Sequence, residues 1–142
     1  MNKWDLRFLE MAQLVSTWSK DPSTKVGAVI VDDDNHIISL GYNGLPKKVP
    51  DYPIILNNRF EKYKYIIHAE TNAILTATSC IKDCTVYTFP FLPCTNCASM
   101  VIQAGIKRVV SFECVDNRWK APLEDSKSLF KIANVECVEY QL

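Results

Sequence analysis

The sequence predicts a single α/β domain, residues 1–142, with helices on both faces of one five-stranded mixed sheet. Three observations predict this three-layer α/β/α fold. After an initial hairpin, apolar runs typical of strands alternate with helical patterns. The length of 142 residues matches the roughly 100–200 residues of one domain. The composition, 48% hydrophobic and 23% charged, is that of a globular chain that can bury a core.

The first part of the chain predicts a helix followed by a β-hairpin. Apolar residues from Trp4 to Trp18 recur every three or four positions, which predicts an amphipathic helix over residues 3–19 that ends before Pro22. The continuous apolar run Gly27–Val31 predicts a strand covered on both faces. An acidic turn then leads into a second strand, Ile37–Tyr42, which completes the hairpin.

The segment from Asn43 to about Lys64 has no clear periodicity and contains several prolines and asparagines. Such a pattern predicts an irregular loop. Because loops of this length are uncommon in compact domains unless they are functional or mobile, the segment is a candidate border of a site.

The second half of the chain alternates helices with strands. Helices are predicted over residues 68–78, 93–104 and 122–133, and strands over residues 84–89, 108–112 and 135–140. Gly105 follows the second of these helices, and Pro122 occupies a first-turn position that proline tolerates. The last helix joins the last two strands in a βαβ unit, so these strands should be parallel with a right-handed crossover.

The charge balance argues against a polynucleotide as the main partner. Lys plus Arg is 16, Asp plus Glu is 16, and the pI is ≈ 6.7, whereas nucleic-acid binders concentrate positive charge. No stretch approaches the ~18 consecutive apolar residues of a membrane span, and charged residues interrupt the N-terminus where a signal peptide would be apolar. We therefore expect a cytoplasmic protein that binds neither a nucleic acid nor a membrane.

The chain contains six cysteines and two histidines. Without a secretory signal, the cysteines are more typical of buried thiols or metal ligands than of a disulfide framework. Chemistry that needs histidine must use His36 or His68, and His36 lies in an acidic turn where a solvated side chain is expected. Buried free thiols are expected at four positions, namely Cys80, Cys84, Cys114 and Cys137.

Two short segments, each at the start of a predicted helix, carry the candidate chemistry. The first holds His68 and Glu70, and the second holds Cys94 and Cys97. A helix N-terminus favours thiolates, and cysteines at i and i+3 lie on one face of the first turn. With His68 as the third ligand, the two cysteines could hold zinc and leave a fourth position for water, as in a catalytic zinc site. Glu70 would then carry protons without binding the metal.

Each of these features alone has a simpler interpretation. A lone C-x-x-C can be a redox pair or half of a structural zinc site. His68 alone would more often be a core histidine, and Glu70 alone would be a first-turn glutamate favoured by the helix dipole. The combination of H-x-E with P-C-x-x-C is the zinc deaminase signature, and it favours the catalytic interpretation.

A wider resemblance rests on six stretches of the chain, two of which contain this signature. They are residues 19–22, 26–28, 41–46, 68–74, 93–98 and 103–107. They resemble the deoxycytidylate (dCMP) deaminases of the zinc-dependent cytidine/deoxycytidylate deaminase superfamily. The G-Y-N-G-x-P pattern, which contains Asn43 and Gly44, narrows the resemblance to dCMP deaminases. Free-nucleoside cytidine deaminases generally have a third cysteine where His68 stands.

The resemblance implies a cytidine deaminase-like fold and hydrolysis of dCMP to dUMP with release of ammonia, which supplies dUMP for dTMP synthesis. Zinc would lower the pKa of its bound water to about 7, and Glu70 would move protons from that water to N3 of cytosine and to the leaving ammonia. Asn43 would hydrogen-bond the sugar 3′-hydroxyl, although an N-G pair is equally typical of a turn. Ala69 and the main chain around Leu92 are the further substrate contacts that the resemblance implies.

A 5′-phosphate needs cationic or N–H donors. Lys20 is the first candidate, supported by Ser19, because this loop borders the substrate cleft in the family, and Lys25 is a further possible phosphate or regulatory contact. Arg118 and Lys120 are further candidates because parallel α/β sheets bind ligands beyond the carboxyl ends of their strands. A solvated surface charge is the simpler interpretation of each of these side chains.

The sequence leaves regulation and the choice of substrate open. The resemblance implies dCTP and dTTP as effectors, accompanied by Mg²⁺, and Lys47 and Lys48 suit such a triphosphate. The same lysines could instead admit dCTP as a substrate. The signature also allows a tRNA or single-strand nucleic-acid deaminase, or an inactive deaminase-like subunit, although the presence of Glu70 counts against inactivity. The family implies a homo-oligomer, with a hexamer favoured, and no histidine besides His68 follows Gly44 to support a second zinc.

Overall fold

A computed structural model describes residues 1–142. It contains five strands and six helices. In chain order these are α1 Lys3–Ser16, β1 Gly27–Val31, β2 Ile37–Tyr42, α2 Pro53–Leu56, α3 Arg59–Tyr65, α4 Ala69–Thr76, β3 Thr85–Phe89, α5 Thr95–Gln103, β4 Arg108–Phe112, α6 Asn117–Ile132 and β5 Glu136–Tyr140. None of the helices combines the length and the hydropathy that crossing a bilayer requires.

All five strands join one sheet in the order β2-β1-β3-β4-β5. β1 pairs antiparallel with both β2 and β3, whereas β3, β4 and β5 run parallel to one another. Val29 of β1 lies opposite Leu40 on one side and Tyr87 on the other. The prediction of a five-stranded mixed sheet whose last two strands are parallel is therefore confirmed.

Helices cover both faces of the sheet, which confirms the predicted three-layer α/β/α arrangement. α1 packs on one face, where Leu9 and Val15 share an apolar cluster with Val29 of β1. α4, α5 and α6 cover the other face, where Phe130 shares a second cluster with Ile30. Neighbouring residues of β1 enter different clusters because side chains of a strand alternate between its faces. This explains why the whole of β1 is apolar.

The structure differs from the prediction in the segment 43–64 and at the end of the first helix. α2 and α3 lie in the segment that the sequence predicts to be irregular. Asn58 caps α3 by accepting a hydrogen bond from the Glu61 N–H at 3.1 Å. Helices this short do not display an apolar repeat, so periodicity could not reveal them. α1 ends at Ser16 rather than near residue 19.

The predicted start of the last helix was wrong. α6 begins at Asn117, where Asp116 accepts a hydrogen bond from the Arg118 N–H at 2.9 Å. Pro122 therefore lies inside the helix rather than at its start. The aspartate is the stronger signal because its side chain satisfies a free N–H of the first turn.

α4 packs directly against the backbone of β2 at Gly41. A Cβ atom at this position would lie 2.5 Å from both the Ala69 carbonyl oxygen and the Ala73 nitrogen. Ser39 Oγ donates a hydrogen bond to the Ala73 carbonyl at 2.6 Å, and Asn72 Nδ2 donates one to a β2 carbonyl at 2.8 Å. The missing side chain of Gly41 thus sets the position of α4 on the sheet.

Asp5 is a buried carboxylate that connects α1 to three strands. It accepts hydrogen bonds from Tyr87 of β3 at 2.8 Å, from Arg108 of β4 at 2.7 and 2.8 Å, and from Tyr140 of β5 at 2.7 Å. Burial alone would raise the pKa of Asp5. The hydrogen bonds from Arg108 and the two tyrosines outweigh burial and lower the pKa to about 2.

Replacing Gly41 by alanine should lower the free energy of unfolding by about 1–3 kcal/mol, because the added methyl group forces α4 away from β2. Urea unfolding followed by circular dichroism measures this change. Gly44→Ala is the matched control, since a Cβ atom there would meet nothing within 4 Å. Equal stability of the two variants would contradict the close packing of α4 on β2.

The free energy of unfolding should fall as the pH drops from about 4 to about 2. The pKa of Asp5 is lowered on folding from 3.8 to about 2, so its contribution is complete above the higher value and is lost as the folded carboxylate is protonated. We expect a loss on the order of 1–2 kcal/mol, because solvent screens the partly exposed Arg108. Urea unfolding of the wild type and Asp5→Asn at several acidic pH values tests this. A variant with the same pH slope as the wild type would refute it.

Candidate metal centre

Two helix N-termini meet near the carboxyl end of β3. His68 is the N-cap residue of α4 and Cys94 is that of α5, and neither side chain caps its own helix. β3 ends at Phe89, and residues 90–93 lead directly to Cys94. α4 and α5 pack on the same face of the sheet and contact each other. The side chains at their N-termini are therefore free to converge.

His68, Cys94 and Cys97 bring their ligating atoms together. His68 Nδ1 lies 3.3 Å from Cys97 Sγ and 3.4 Å from Cys94 Sγ, and all three atoms fall within 4.8 Å of one another. A tetrahedral zinc ion with a Zn–N distance of about 2.0 Å and a Zn–S distance of about 2.3 Å holds such atoms roughly 3.5 Å apart. The three residues therefore fit one zinc ion, to which His68 would present Nδ1.

The two cysteines shift each other's pKa in opposite directions. Hydrogen bonding to Cys97 is the main cause that lowers the pKa of Cys94 to about 4, and His68 acts in the same direction. The same bond raises the pKa of Cys97 above its usual range. Hydrogen bonding to Cys94 raises the pKa of His68. Because thiolates are the ligating form, a metal cation would displace the remaining thiol proton.

Glu70 is a buried carboxyl group beside these ligands, with 4% of its surface exposed. Burial raises the pKa of Glu70, while its own backbone N–H and the charge of His68 oppose the shift. The Cys97 side chain also acts to lower the pKa of Glu70, but burial outweighs it. A carboxyl group with a raised pKa can both accept and donate a proton near neutral pH.

Asn43 lies directly after β2 and is buried. Its Oδ1 accepts a hydrogen bond from the Val26 N–H at 2.9 Å. Its Nδ2 donates to the Thr24 carbonyl at 2.9 Å and to Asp21 Oδ2 at 3.4 Å. Ser19 Oγ donates to the Asn43 carbonyl at 2.8 Å. This network joins the loop after α1 to the end of β2, and it leaves one lone pair of Asn43 Oδ1 unused.

The side chains predicted to bind phosphate are mostly exposed or paired. Lys20 is exposed, and its Nζ lies 2.9 Å from Asp51 Oδ2. Lys25 Nζ donates to the Ser19 carbonyl, and Arg118 pairs with the N-cap residue of α6 at 2.6 Å. A phosphate would compete with these partners. The remaining three cations are also exposed, namely Lys47, Lys48 and Lys120.

Ala69 and Leu92 can meet a substrate only through their main chains, because their residues are 0% and 1% exposed. Ala69 is the first residue of α4, so its N–H has no partner within the helix. Thr88 Oγ1 donates to the Phe91 carbonyl at 2.9 Å and fixes the turn before Leu92. Phe91 also stacks on Trp119 of α6, with ring centroids 6.3 Å apart.

Two side chains at this end of the sheet were not predicted from the sequence. Thr71 Oγ1 lies 3.5 Å from Cys97 Sγ. Thr71 directly follows the H-x-E motif, and this position was the signal in the sequence that could have identified it. Lys62 Nζ donates to Asp21 Oδ1 at 2.9 Å in a buried ion pair. Lys62 lies in the segment without periodicity, so no signal in the sequence marks it.

The cysteines outside the centre match the prediction only in part. Cys84 is buried, as predicted. Cys80 is exposed, so the prediction of a buried thiol was wrong there, because the turn before β3 leaves it at the surface. Cys114 and Cys137 are half-buried. His36 is exposed, as predicted.

Comparison with known proteins places this site in a family. The model of the cytidine and deoxycytidylate deaminase zinc-binding region matches residues 2–113. The chain belongs to the cytidine and deoxycytidylate deaminase family. It is therefore an enzyme of the deaminase class, and its family is one that binds zinc.

Relatives extend the match over nearly the whole chain. An uncharacterized deaminase of Aliivibrio fischeri is 43% identical over 139 residues, which cover 96% of this chain and 92% of the relative. The deoxycytidylate deaminase of Mus musculus is 39% identical over 139 residues, covering 94% of this chain and 77% of the mouse protein.

A solved structure shows the same fold. The crystal structure of the dCMP deaminase from the cyanophage S-TIM5 covers 99% of this chain with a TM-score of 0.77, over 100% of its own length and at 23% sequence identity. This likeness confirms that the chain has the fold of a deaminase, as the resemblance implied.

Proposed function

We propose that the protein hydrolyses the 4-amino group of dCMP, giving dUMP and ammonia. The observation that carries this proposal is the buried Glu70 carboxyl group beside the converging His68, Cys94 and Cys97 side chains. This arrangement suits hydrolytic deamination of a pyrimidine ring. The choice of dCMP is supported by the mouse relative, which is a deoxycytidylate deaminase.

Glu70 is the proton carrier in this proposal. Zinc, held by His68, Cys94 and Cys97, would supply Lewis-acid activation of a water molecule. The Glu70 carboxylate takes a proton from the attacking water and gives it to N3 of the cytosine ring. A second proton passes through the same carboxyl group to the departing amine, so that one water is consumed and one ammonia is released.

Asn43 is proposed to bind the sugar 3′-hydroxyl as an acceptor. Both protons of its Nδ2 are engaged by Thr24 and Asp21, and its Oδ1 already accepts one hydrogen bond from Val26. The one remaining lone pair of Asn43 Oδ1 can only accept a hydrogen bond. The 3′-hydroxyl must therefore be the donor. The main chains of Ala69 and Leu92 are the proposed contacts to the base.

Lys20 is the proposed phosphate ligand, with Lys25 in the same loop, whereas the hydroxyl proton of the buried Ser19 is already donated to the Asn43 carbonyl. Lys20 is exposed and its partner Asp51 is also accessible, so the ion pair can open toward an incoming phosphate. Exposed ion pairs contribute little to stability, which keeps the cost of such an exchange small. Lys25 is close to Ser19, so a second cation stands beside Lys20 in the same loop.

The regulatory and assembly expectations are part of the proposal. Lys47, Lys48, Arg118 and Lys120 are exposed cations that suit triphosphate effectors such as dCTP and dTTP, accompanied by Mg²⁺. We also propose a homo-oligomer, with a hexamer favoured, and a cytoplasmic location. The formal net charge of zero supports a small nucleotide rather than a polynucleotide as substrate.

Purified protein with zinc should release ammonia from dCMP at neutral pH, and Glu70→Gln should release it about 10²–10⁴-fold more slowly because the proton carrier is lost. A coupled ammonia assay measures both rates. The assay is repeated with dCTP, with a single-stranded oligonucleotide, and with dCMP in the presence of dCTP, dTTP and Mg²⁺.

Zinc content of the Glu70→Gln protein is the control, and it should equal that of the wild type because Glu70 is not a ligand. Undiminished turnover in this variant would contradict the role of Glu70. Faster release from dCTP or from the oligonucleotide than from dCMP would contradict the proposed substrate.

A further inference from the structure

We propose that the buried Lys62–Asp21 ion pair is a positioning element of the nucleotide pocket, resting on the function proposed above. The pair holds α3 against the loop after α1 and thereby keeps Asn43 in place to bind the sugar. The Lys62 ammonium donates its side-chain hydrogen bond to Asp21, so it acts through Asp21 and not on the reacting atoms.

Both charges are removed from water. The Lys62 side chain is 4% exposed and that of Asp21 is 5% exposed, with 2.9 Å between Nζ and Oδ1. Lysine is among the residues that are least often fully buried. A buried ion pair is weak evidence of added stability, and specifying one arrangement is the role that this proposal assigns to it.

Lys62 is the one buried residue of α3. The large side chains of this helix face outward, with Phe60 71%, Tyr63 55% and Tyr65 49% exposed. Apolar burial therefore contributes little to holding α3 on the protein. The ion pair with Asp21 is the main side-chain contact that fixes where α3 lies.

Asp21 transmits this position to both ends of Asn43. Its Oδ2 accepts a hydrogen bond from the Asn43 side chain at 3.4 Å. Its backbone N–H donates to Ser19 Oγ at 3.2 Å, and Ser19 Oγ in turn donates to the Asn43 carbonyl at 2.8 Å. Asp21 Oδ1 also accepts from the Ser23 N–H at 2.8 Å, which fixes the carboxylate itself.

α3 is connected to the same place through the backbone. Residues 66 and 67 lead from the end of α3 to His68. Ile67 and Gly44 exchange two backbone hydrogen bonds, at 2.8 and 3.1 Å. Because Gly44 follows Asn43, a shift of α3 would move the sugar-binding residue from both sides. The ion pair thus controls substrate binding more than the proton steps at Glu70.

Lys62→Met tests this directly, with Lys64→Met as the matched control on the same helix, where the side chain is 45% exposed. Steady-state ammonia release from dCMP gives kcat and KM, and zinc content and the melting temperature are measured alongside. We expect Lys62→Met to raise KM about tenfold or more while kcat changes less than about threefold and zinc is retained. Lys64→Met should match the wild type.

The double variant Asp21→Asn/Lys62→Met removes both charges and serves if the single variant does not fold. It should regain stability but keep the raised KM, whereas a merely structural pair would let KM return to the wild-type value. Lys62→Arg, which keeps the charge, should restore most of the affinity. A wild-type KM in Lys62→Met or in the double variant, or loss of zinc with KM unchanged, would overturn the inference. A wild type that releases no ammonia from dCMP would instead overturn the proposed function.

Discussion

The close packing of α4 against the backbone of β2 is the constraint on which the candidate site depends. Gly41 leaves no side chain between β2 and α4, so the helix lies close enough for its N-cap residue His68 to reach the end of β3. α5 starts at the same place because its N-cap residue Cys94 follows β3 after a short connection. His68 and Cys94, two candidate ligands 26 positions apart in the sequence, therefore meet because their helices pack on the same sheet.

The electrostatics of the site follow from this packing. Two helix N-termini aim partial positive charge at one point, which favours thiolates there. Burial raises the pKa of Glu70 beside them, so one carboxyl group can both accept and deliver a proton. A second buried carboxylate, Asp21, is neutralised by Lys62. Uncompensated negative charge is thus confined to the candidate metal ligands and the proposed proton carrier.

The sequence predicts well the features that local spacing encodes. The apolar run of β1, the two helix starts and the spacing of His68, Glu70, Cys94 and Cys97 each need only a few neighbouring residues to be recognised. Contacts between distant residues leave no such trace. Lys62 pairs with a residue 41 positions away, and Asp5 binds Tyr140 across 135 positions. The hydrogen bonds that occupy the Asn43 side chain and the close approach at Gly41 likewise exist only once the chain has folded.

X-ray absorption spectroscopy at the zinc edge tests the central claim most directly. In wild-type protein loaded with one zinc per chain, the account predicts two sulfur scatterers at about 2.3 Å and two nitrogen or oxygen scatterers at about 2.0–2.1 Å. These correspond to the two cysteines, His68 and one exchangeable position for water. Four sulfur scatterers, or a shell of oxygen and nitrogen alone, would contradict a catalytic centre built from His68, Cys94 and Cys97.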